Sequence, residues 1–296
     1  MKIFVSGIAG FIGSNFANQM HKLGHEVSGC DNLTFGYEEN VNKEIPWERI
    51  GFQHVDYNHL NEFDVVVHIA CVNIIYAMKY SQMAFKTNGF DSIKFIDKFK
   101  GKIVYTSTSS VYGQAESFPT KEDSGVKLSN AYDQSKSILE NYLILRGNYT
   151  TLRLSNVYGT NQRPKNPYCG VVGRFLGNMI EDKPININGD GSDTRDYTYI
   201  DDVVRAIRIA CTNKSYDTEI NIGTGIETSS FKLASLIRDI ISSKSEINFT
   251  DKRLIDKINR RCLDIKKAEE LLSWKPIYDL QTGIEETIKW MMNEKK

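Results

Sequence analysis

Neither sign of charge prevails in this chain: Lys plus Arg and Asp plus Glu number 37 each over 296 residues. Balanced charge argues against a nucleic-acid-binding protein or one held to a membrane surface by basic residues. No apolar run approaches the length of a membrane span, and the first residues read as a strand rather than a signal peptide. A cytoplasmic location is therefore expected. Cysteine is sparse and scattered. Cys30, Cys71, Cys169, Cys211 and Cys262 include no C-x-x-C pair, which argues against a zinc site or a disulfide framework. They read as small buried hydrophobes. Cys30 and Cys71 fall at the ends of expected strands, where contact with a ligand remains open.

The richest stretch lies at the N-terminus. Ile3 to Val5 form a short β-branched and aromatic run, followed by glycines at 7, 10 and 13 and then a helical pattern through Phe11, Ile12, Phe16, Met20 and Leu23. Strand, glycine turn and helix are the context of a dinucleotide-binding loop. Gly7 supplies a backbone angle closed to other residues, Gly10 lets the main chain approach a pyrophosphate, and Gly13 lets helix and strand pack closely. The helix N-terminus directs free N–H groups at the phosphates. Glu26 to Cys30 reads as a second strand ending at Asp31. A carboxylate there suits an adenosine ribose 2′-hydroxyl and repels a 2′-phosphate, which favours NAD over NADP.

Further on, Phe52 to Val55 reads as a third strand ending at Asp56. Asp64 to Ala70 reads as a strand buried on both faces, carrying His68, to which no chemistry is assigned. Residues 74–99 are helical in pattern. Lys102 to Thr106 is a strand that runs into the hydroxyl-rich Ser107-Thr108-Ser109-Ser110-Val111-Tyr112-Gly113. Ser129 or Asn130 can cap a helix in which Tyr132 and Lys136, four apart, share one face. A tyrosine has a reference pKa of about 10. A nearby ammonium and a cationic nicotinamide would favour its phenolate.

Together the G-x-x-G-x-x-G loop, the Thr108-to-Gly113 stretch and Tyr132-Asp133-Gln134-Ser135-Lys136 resemble the extended short-chain dehydrogenase/reductases. More narrowly, they resemble the NAD-dependent nucleotide-sugar epimerases and dehydratases, from Met1 to about Met292. The resemblance implies an α/β fold. A Rossmann-like doubly wound parallel sheet would occupy residues 1–165. A smaller C-terminal nucleotide-sugar-binding α/β lobe would occupy 166–296, with about 198–224 returning to the first domain. It implies a catalytic Tyr132, a Lys136 that holds the nicotinamide ribose and lowers the tyrosine pKa, and a Thr108 that orients the sugar hydroxyl. Cofactor contacts are implied for Gly7, Gly10, Phe11, Ile12 and Gly13 in the loop. Asp31, Asn32 and Asp56 would serve the adenosine end. Ala70 belongs to the His68-Ile69-Ala70-Cys71 stretch, and Asn88 to the helix after it.

On the substrate side the resemblance implies Ser109, Asn156 after Leu152-Arg153-Leu154, and Arg195 of the Gly189-Asp190-Gly191…Arg195-Asp196 motif gripping the diphosphate. Arg253 matches a second diphosphate ligand, with Arg260 or Arg261 as alternatives. Helices are expected over about 170–181, 229–242 and 279–293, and a strand over 219–222. The family dimerises through two helices, here about 74–99 and 130–146, with Ile138, Tyr142 and Leu145 as candidates for the seam.

Dehydratases of this family carry an Asp-Glu pair after the catalytic Thr, and the nucleotide-glucuronate decarboxylases carry a Glu in the same segment. This chain has Ser109 and Ser110, neither of which is a carboxylate acid or base. The expectation is NAD-dependent 4-epimerisation of a UDP-hexose or UDP-N-acetylhexosamine. A dehydratase, decarboxylase, 2-epimerase or keto-sugar reductase stands as the alternative.

Overall fold

The computed structural model describes residues 1–166, 169–252 and 258–293. Its strands are β1 (Lys2–Ser6), β2 (Glu26–Cys30), β3 (Trp47–Glu48), β4 (Val65–His68), β5 (Lys102–Thr108), β6 (Tyr149–Leu154), β7 (Asn156–Tyr158), β8 (Ile185–Asn188), β9 (Thr194–Tyr199), β10 (Glu219–Ile222), β11 (Glu227–Ser229) and β12 (Ile247–Thr250). Seven of them form a parallel sheet in the order β10-β6-β5-β4-β1-β2-β3. Strands β11, β9 and β7 make a second sheet, and β12 with β8 a third. The order reverses between β1 and β4, so the carboxyl ends of those strands open a crevice.

The central strands are buried almost throughout, and Val65–Val67 of β4 is a continuous apolar run rather than an alternating one, while β5 and β6 carry buried Thr, Ser and Arg153 among their apolar residues. Helix α1 (Phe11–Lys22) buries Phe16, Ala17 and Met20 on one face of the sheet. The helical pattern at 74–99 is interrupted. It begins as α2 (Ile74–Lys79), breaks at Tyr80 (φ −133°, ψ 65°), resumes as α3 (Ser81–Ala84), widens into a π turn over Phe85–Asp91 and finishes as α4 (Ser92–Asp97). The wide turn carries Asn88 inward, an arrangement that a regular helical period cannot reveal. Opposite α1 lies α5 (Ala131–Arg146), capped by the Asn130 side chain accepting from the Asp133 amide at 3.0 Å. Then follow α6 (Val171–Met179), α7 (Ile200–Thr212), α8 (Ser230–Ile241), α9 (Lys266–Leu272) and α10 (Leu280–Asn293). Helix α7 returns to the face of the main sheet, and β10 completes its edge beside β6.

The strand expected at Phe52–Val55 is a correction. Phe52–His54 is a single 3₁₀ turn, and the edge strand is β3, paired with Gly29 and Cys30 of β2. Phe52 and Val55 are both buried, and a turn brings residues three apart to the same side. Phe52 thereby packs against Phe95 and His68 at ring separations of 5.4 and 5.0 Å. Asp56 caps the four-residue helical turn that follows, accepting from the Asn58 amide at 2.9 Å. No helix among the described residues is long and apolar enough to cross a membrane.

Close packing of α1 on the loop before it depends on one missing methyl. A Cβ on Gly13 would lie 2.0 Å from the Gly7 carbonyl oxygen, backbone that cannot swing aside. Gly13→Ala is expected to cost about 1–3 kcal/mol of stability, read as a lower urea midpoint at an unchanged slope.

Candidate active site

Two adjoining cavities open at the carboxyl ends of the strands. The first, of about 410 Å³, is lined by Gly7, Gly10, Phe11, Ile12, Asp31, Asn32, Ala70 and Cys71 on one side and by Thr106, Ser107, Thr108, Tyr132 and Lys136 on the other. Gly7 sits at φ +77°, and a Cβ there would lie 2.9 Å from Ala70 backbone atoms. Gly10 has only the Gly7 carbonyl within reach of a Cβ, so its open side faces the cavity. No side chain caps α1, so its first amides are left for an anion. Asp31 turns its carboxylate to the Ala9 and Leu33 amides at 3.1 and 2.8 Å, and burial raises its pKa against these bonds. A bare glycine cradle, an uncapped helix end and a carboxylate at the tip of β2 fit a dinucleotide with a free ribose 2′-hydroxyl.

Helix α5 brings Tyr132 and Lys136 to the same cavity. The Lys136 ammonium donates to the Thr106 carbonyl at 2.8 Å and lies 4.3 Å from the centre of the Tyr105 ring; burial lowers its pKa. Burial also raises the Tyr132 pKa well above its ordinary value, and Cys71 and Asp133 add to this. The Thr108 side chain, hydrogen-bonded to Tyr132, and the Arg261 charge pull in the opposite direction. The resemblance implied that Lys136 lowers the tyrosine. Here that ammonium is aimed at a carbonyl, and desolvation of the phenol prevails.

The second cavity, of about 740 Å³, is lined by Ser110, Ser129, Asn130, Asn156, Arg174, Arg195, Arg261 and the whole of β8. The Asn156 Oδ1 atom is buried with no partner, as is Arg261 Nε. Burial and the neighbouring Arg195 lower the Arg261 pKa to about 10. Among the described residues three guanidiniums gather here, and the one carboxylate lining the cavity, Asp193, is bound to Lys252 at 2.8 Å. Guanidinium forks suit the oxygens of a carboxylate or a phosphate, so the space suits an anion. Behind it Asp196, wholly buried, accepts from the Thr224 amide and hydroxyl (2.8 and 2.7 Å), the Gly225 amide (3.1 Å) and the Leu263 amide (3.3 Å). It therefore ties the strand of Arg195 to the segment of Arg261.

Several expected site residues lie elsewhere. Ser109 is buried and lines neither cavity; the 3₁₀ turn Ser109–Tyr112 rotates it inward and presents Ser110 instead. Asn88 accepts from the Val72 amide at 2.7 Å and donates to the Val72 carbonyl and to Ser135 Oγ, both at 3.0 Å. It braces the cavity wall from behind. Gly13 packs under Gly7, and Asp56 lies outside the lining. Arg260 pairs with Glu227 at 3.0 Å and stacks 4.3 Å from the Phe118 ring, which leaves Arg261 as the arginine facing the cavity. Arg253 lies outside the described residues. Arg174, Ser110 and Asp133 were not anticipated. Asp133 stands next to Tyr132 in the sequence, and that adjacency was the available signal.

A profile of the NAD dependent epimerase/dehydratase family matches residues 3–223, and the chain belongs to that family. It is 32% identical to a UDP-glucose 4-epimerase of Mycolicibacterium smegmatis, over 99% of both chains. It is 30% identical to a UDP-N-acetyl-alpha-D-glucosaminuronate decarboxylase of Bacillus cytotoxicus, over 98% of this chain and 97% of the other. Among solved structures, the UDP-glucose 4-epimerase of Thermotoga maritima with UDP-glucose superposes with a TM-score of 0.94 at 30% identity, covering both chains fully.

His68 lies beneath the cofactor cavity between Ser6 Oγ (2.7 Å) and Ser92 Oγ (2.8 Å), with its pKa lowered to about 3 chiefly by burial. A lowered histidine binds its proton more readily when unfolded, so its contribution is present above about pH 6.5 and is lost as pH falls. Between pH 7 and 4.5 this amounts to on the order of 2–3 kcal/mol. Urea unfolding of His68→Gln at the two pH values is expected to show a correspondingly weaker pH dependence than the wild type.

Proposed function

We propose that this protein interconverts the 4-epimers of a UDP-linked hexose or N-acetylhexosamine, with NAD held in the cavity over Gly7 and Gly10. The observation that carries the reading is the composition of the catalytic wall. Thr108, Tyr132 and Lys136 meet there, and the only carboxylates lining either cavity among the described residues are Asp31, at the far tip of β2, and Asp193, paired with Lys252. Elimination of water or loss of CO₂ has no acid–base carboxylate lining the catalytic wall, whereas epimerisation needs only one proton acceptor at the sugar 4-hydroxyl. The similarity to UDP-glucose 4-epimerases supports the same choice.

In this reading Thr108 orients the sugar 4-hydroxyl, and the Tyr132 oxygen takes and returns its proton. NAD, which Gly7, Gly10, Asp31 and Lys136 would hold, would supply the hydride acceptor and donor for C4 of the sugar. Lys136, held by the Thr106 carbonyl, would bind the cofactor ribose, and the Thr108 hydrogen bond and the Arg261 charge are what favour the phenolate. Arg195 and Arg261 hold the diphosphate, which lets the sugar turn over while the nucleotide stays fixed. Asn156, with its unpartnered oxygen, takes a donor of the substrate. Asp31 selects NAD over NADP.

We also propose a homodimer through α5 and the interrupted helix beside it, where Leu145 and Phe90 are 86% and 71% exposed. Ile138 and Tyr142 are partly buried, against Gly89 and hydrogen-bonded to Asp97 respectively, so Leu145 is the most open of the three expected seam residues. Leu145→Glu is expected to give a monomer by light scattering.

NMR analysis of products from UDP-glucose, UDP-N-acetylglucosamine and their 4-epimers tests the activity. Interconversion at C4 without added cofactor is expected, and a 4-keto-6-deoxy or decarboxylated product would overturn the reading. Tyr132→Phe is expected to lower turnover by about 10²–10⁴-fold while NAD remains bound, as followed by absorbance of the reduced cofactor and by activity.

A further inference from the structure

The wall of the second cavity holds a group that the reaction above does not use. Asp133, wholly buried, follows Tyr132 in α5. Its Oδ2 accepts from Asn130 Nδ2 at 2.7 Å, from Ser129 Oγ at 2.9 Å and from the Ser129 amide at 3.3 Å. Its Oδ1 accepts from the Ser110 hydroxyl. Ser110, Ser129 and Asn130 all line the cavity, and each spends a donor on the same carboxylate behind them.

A serine hydroxyl has one proton, and a carboxylate can only accept. With that proton committed to Asp133, Ser110 Oγ shows the cavity lone pairs alone. Ser110 is itself buried, so water does not readily reorient the hydroxyl. It also lies two residues past Thr108, on the turn that begins at the catalytic wall. We propose that Ser110, fixed as an acceptor by Asp133, is a specificity-determining residue that requires a donor, a free hydroxyl or an amide N–H, on the sugar of the nucleotide-sugar substrate. Asp133 is the positioning residue. A sugar lacking that donor leaves the Ser110 lone pairs buried and unmet, and one offering an ether or carbonyl oxygen sets two acceptors against each other. Both are discriminated against more strongly than a mere change of size.

The inference rests on the nucleotide-sugar reading of this cavity, and the test separates the two. NAD-loaded full-length protein carrying Tyr132→Phe, which stops turnover, is titrated calorimetrically with UDP. It is then titrated with UDP-glucose or UDP-N-acetylglucosamine, whichever binds more tightly, and with the monodeoxy analogues of that sugar. The series is repeated with Ser110→Ala and with Asp133→Asn added. UDP is expected to bind the Ser110→Ala protein and its parent alike. Ser110→Ala should weaken binding of the parent sugar nucleotide about tenfold. For one monodeoxy analogue that penalty should vanish, identifying the donor. Asp133→Asn, which frees the serine proton, should weaken the parent in the same way and spare the same analogue. Equal affinity of Ser110→Ala and its parent protein for the sugar nucleotide overturns the proposal, as does an undiminished penalty across every analogue. Failure of UDP itself to bind would instead overturn the nucleotide-sugar reading.

Discussion

The site depends on how α5 is fastened across the carboxyl end of β5. Two reciprocal bonds do this: Lys136 Nζ donates to the Thr106 carbonyl at 2.8 Å, and Tyr105 donates from its hydroxyl to the Lys136 carbonyl at 3.2 Å. They set the azimuth of the helix about its own axis, and that decides whether Tyr132, one turn earlier, faces Thr108. A buried ion pair reinforces the fastening a turn further on. Arg153 of β6 meets Glu140 of α5 through two bonds, at 2.8 and 3.1 Å. The same guanidinium donates to Tyr112 at the end of the Ser109–Tyr112 turn. One network thus positions the helix with the tyrosine, the strand with the threonine, and the turn that presents Ser110.

The substrate side is organised differently. Its cations come from segments far apart in the chain, brought together by Asp196 and by a pair of main-chain bonds between Thr120 and the residues flanking Leu263. Asn221 closes the same junction, donating to the Thr120 and Asp264 carbonyls at 3.0 and 3.2 Å. The first cavity is therefore built into the main sheet, while the second, lined by the arginines, is held by crossings between loops. These crossings are themselves buried, with Asp196, Asn221, Thr120 and Leu263 all out of solvent, so the junction is held by satisfied polar groups rather than by a ladder of strands.

The sequence revealed most where the backbone itself is constrained. Gly7 and Gly13 could be read because positive φ and backbone contact leave no alternative residue. Tyr132 and Lys136 could be read because helical spacing alone puts them on one face. Legibility failed where a single residue of register decides the outcome. Ser109 and Ser110 are chemically identical, and only the 3₁₀ turn tells which one lines the second cavity. Arg260 and Arg261 are adjacent, and the choice between them rests on Glu227 and Phe118, neither near them in sequence. The π turn at Phe85–Asp91 hid the bracing role of Asn88 for the same reason, since a period of 3.6 is all that pattern reading can assume. Phe52 and Val55 show the opposite failure: a short apolar run fits a strand or a turn equally well until its packing partners are known.

The bonds between Thr120 and the Leu263 segment also bear on the order in which the molecule is made. During synthesis the sheet from β1 to β10 emerges complete, with Tyr132, Lys136 and Thr108 in place, before Arg261 leaves the ribosome. The nascent chain can therefore form the first cavity before it has Arg261, which lines the second. Until that last segment docks, the loop after Gly113 lacks the strand-like partner at Thr120, and Asp196 lacks one of its four donors. The glycine-loop cavity is thus an early property of this polypeptide, and the complete arginine-lined cavity a late one.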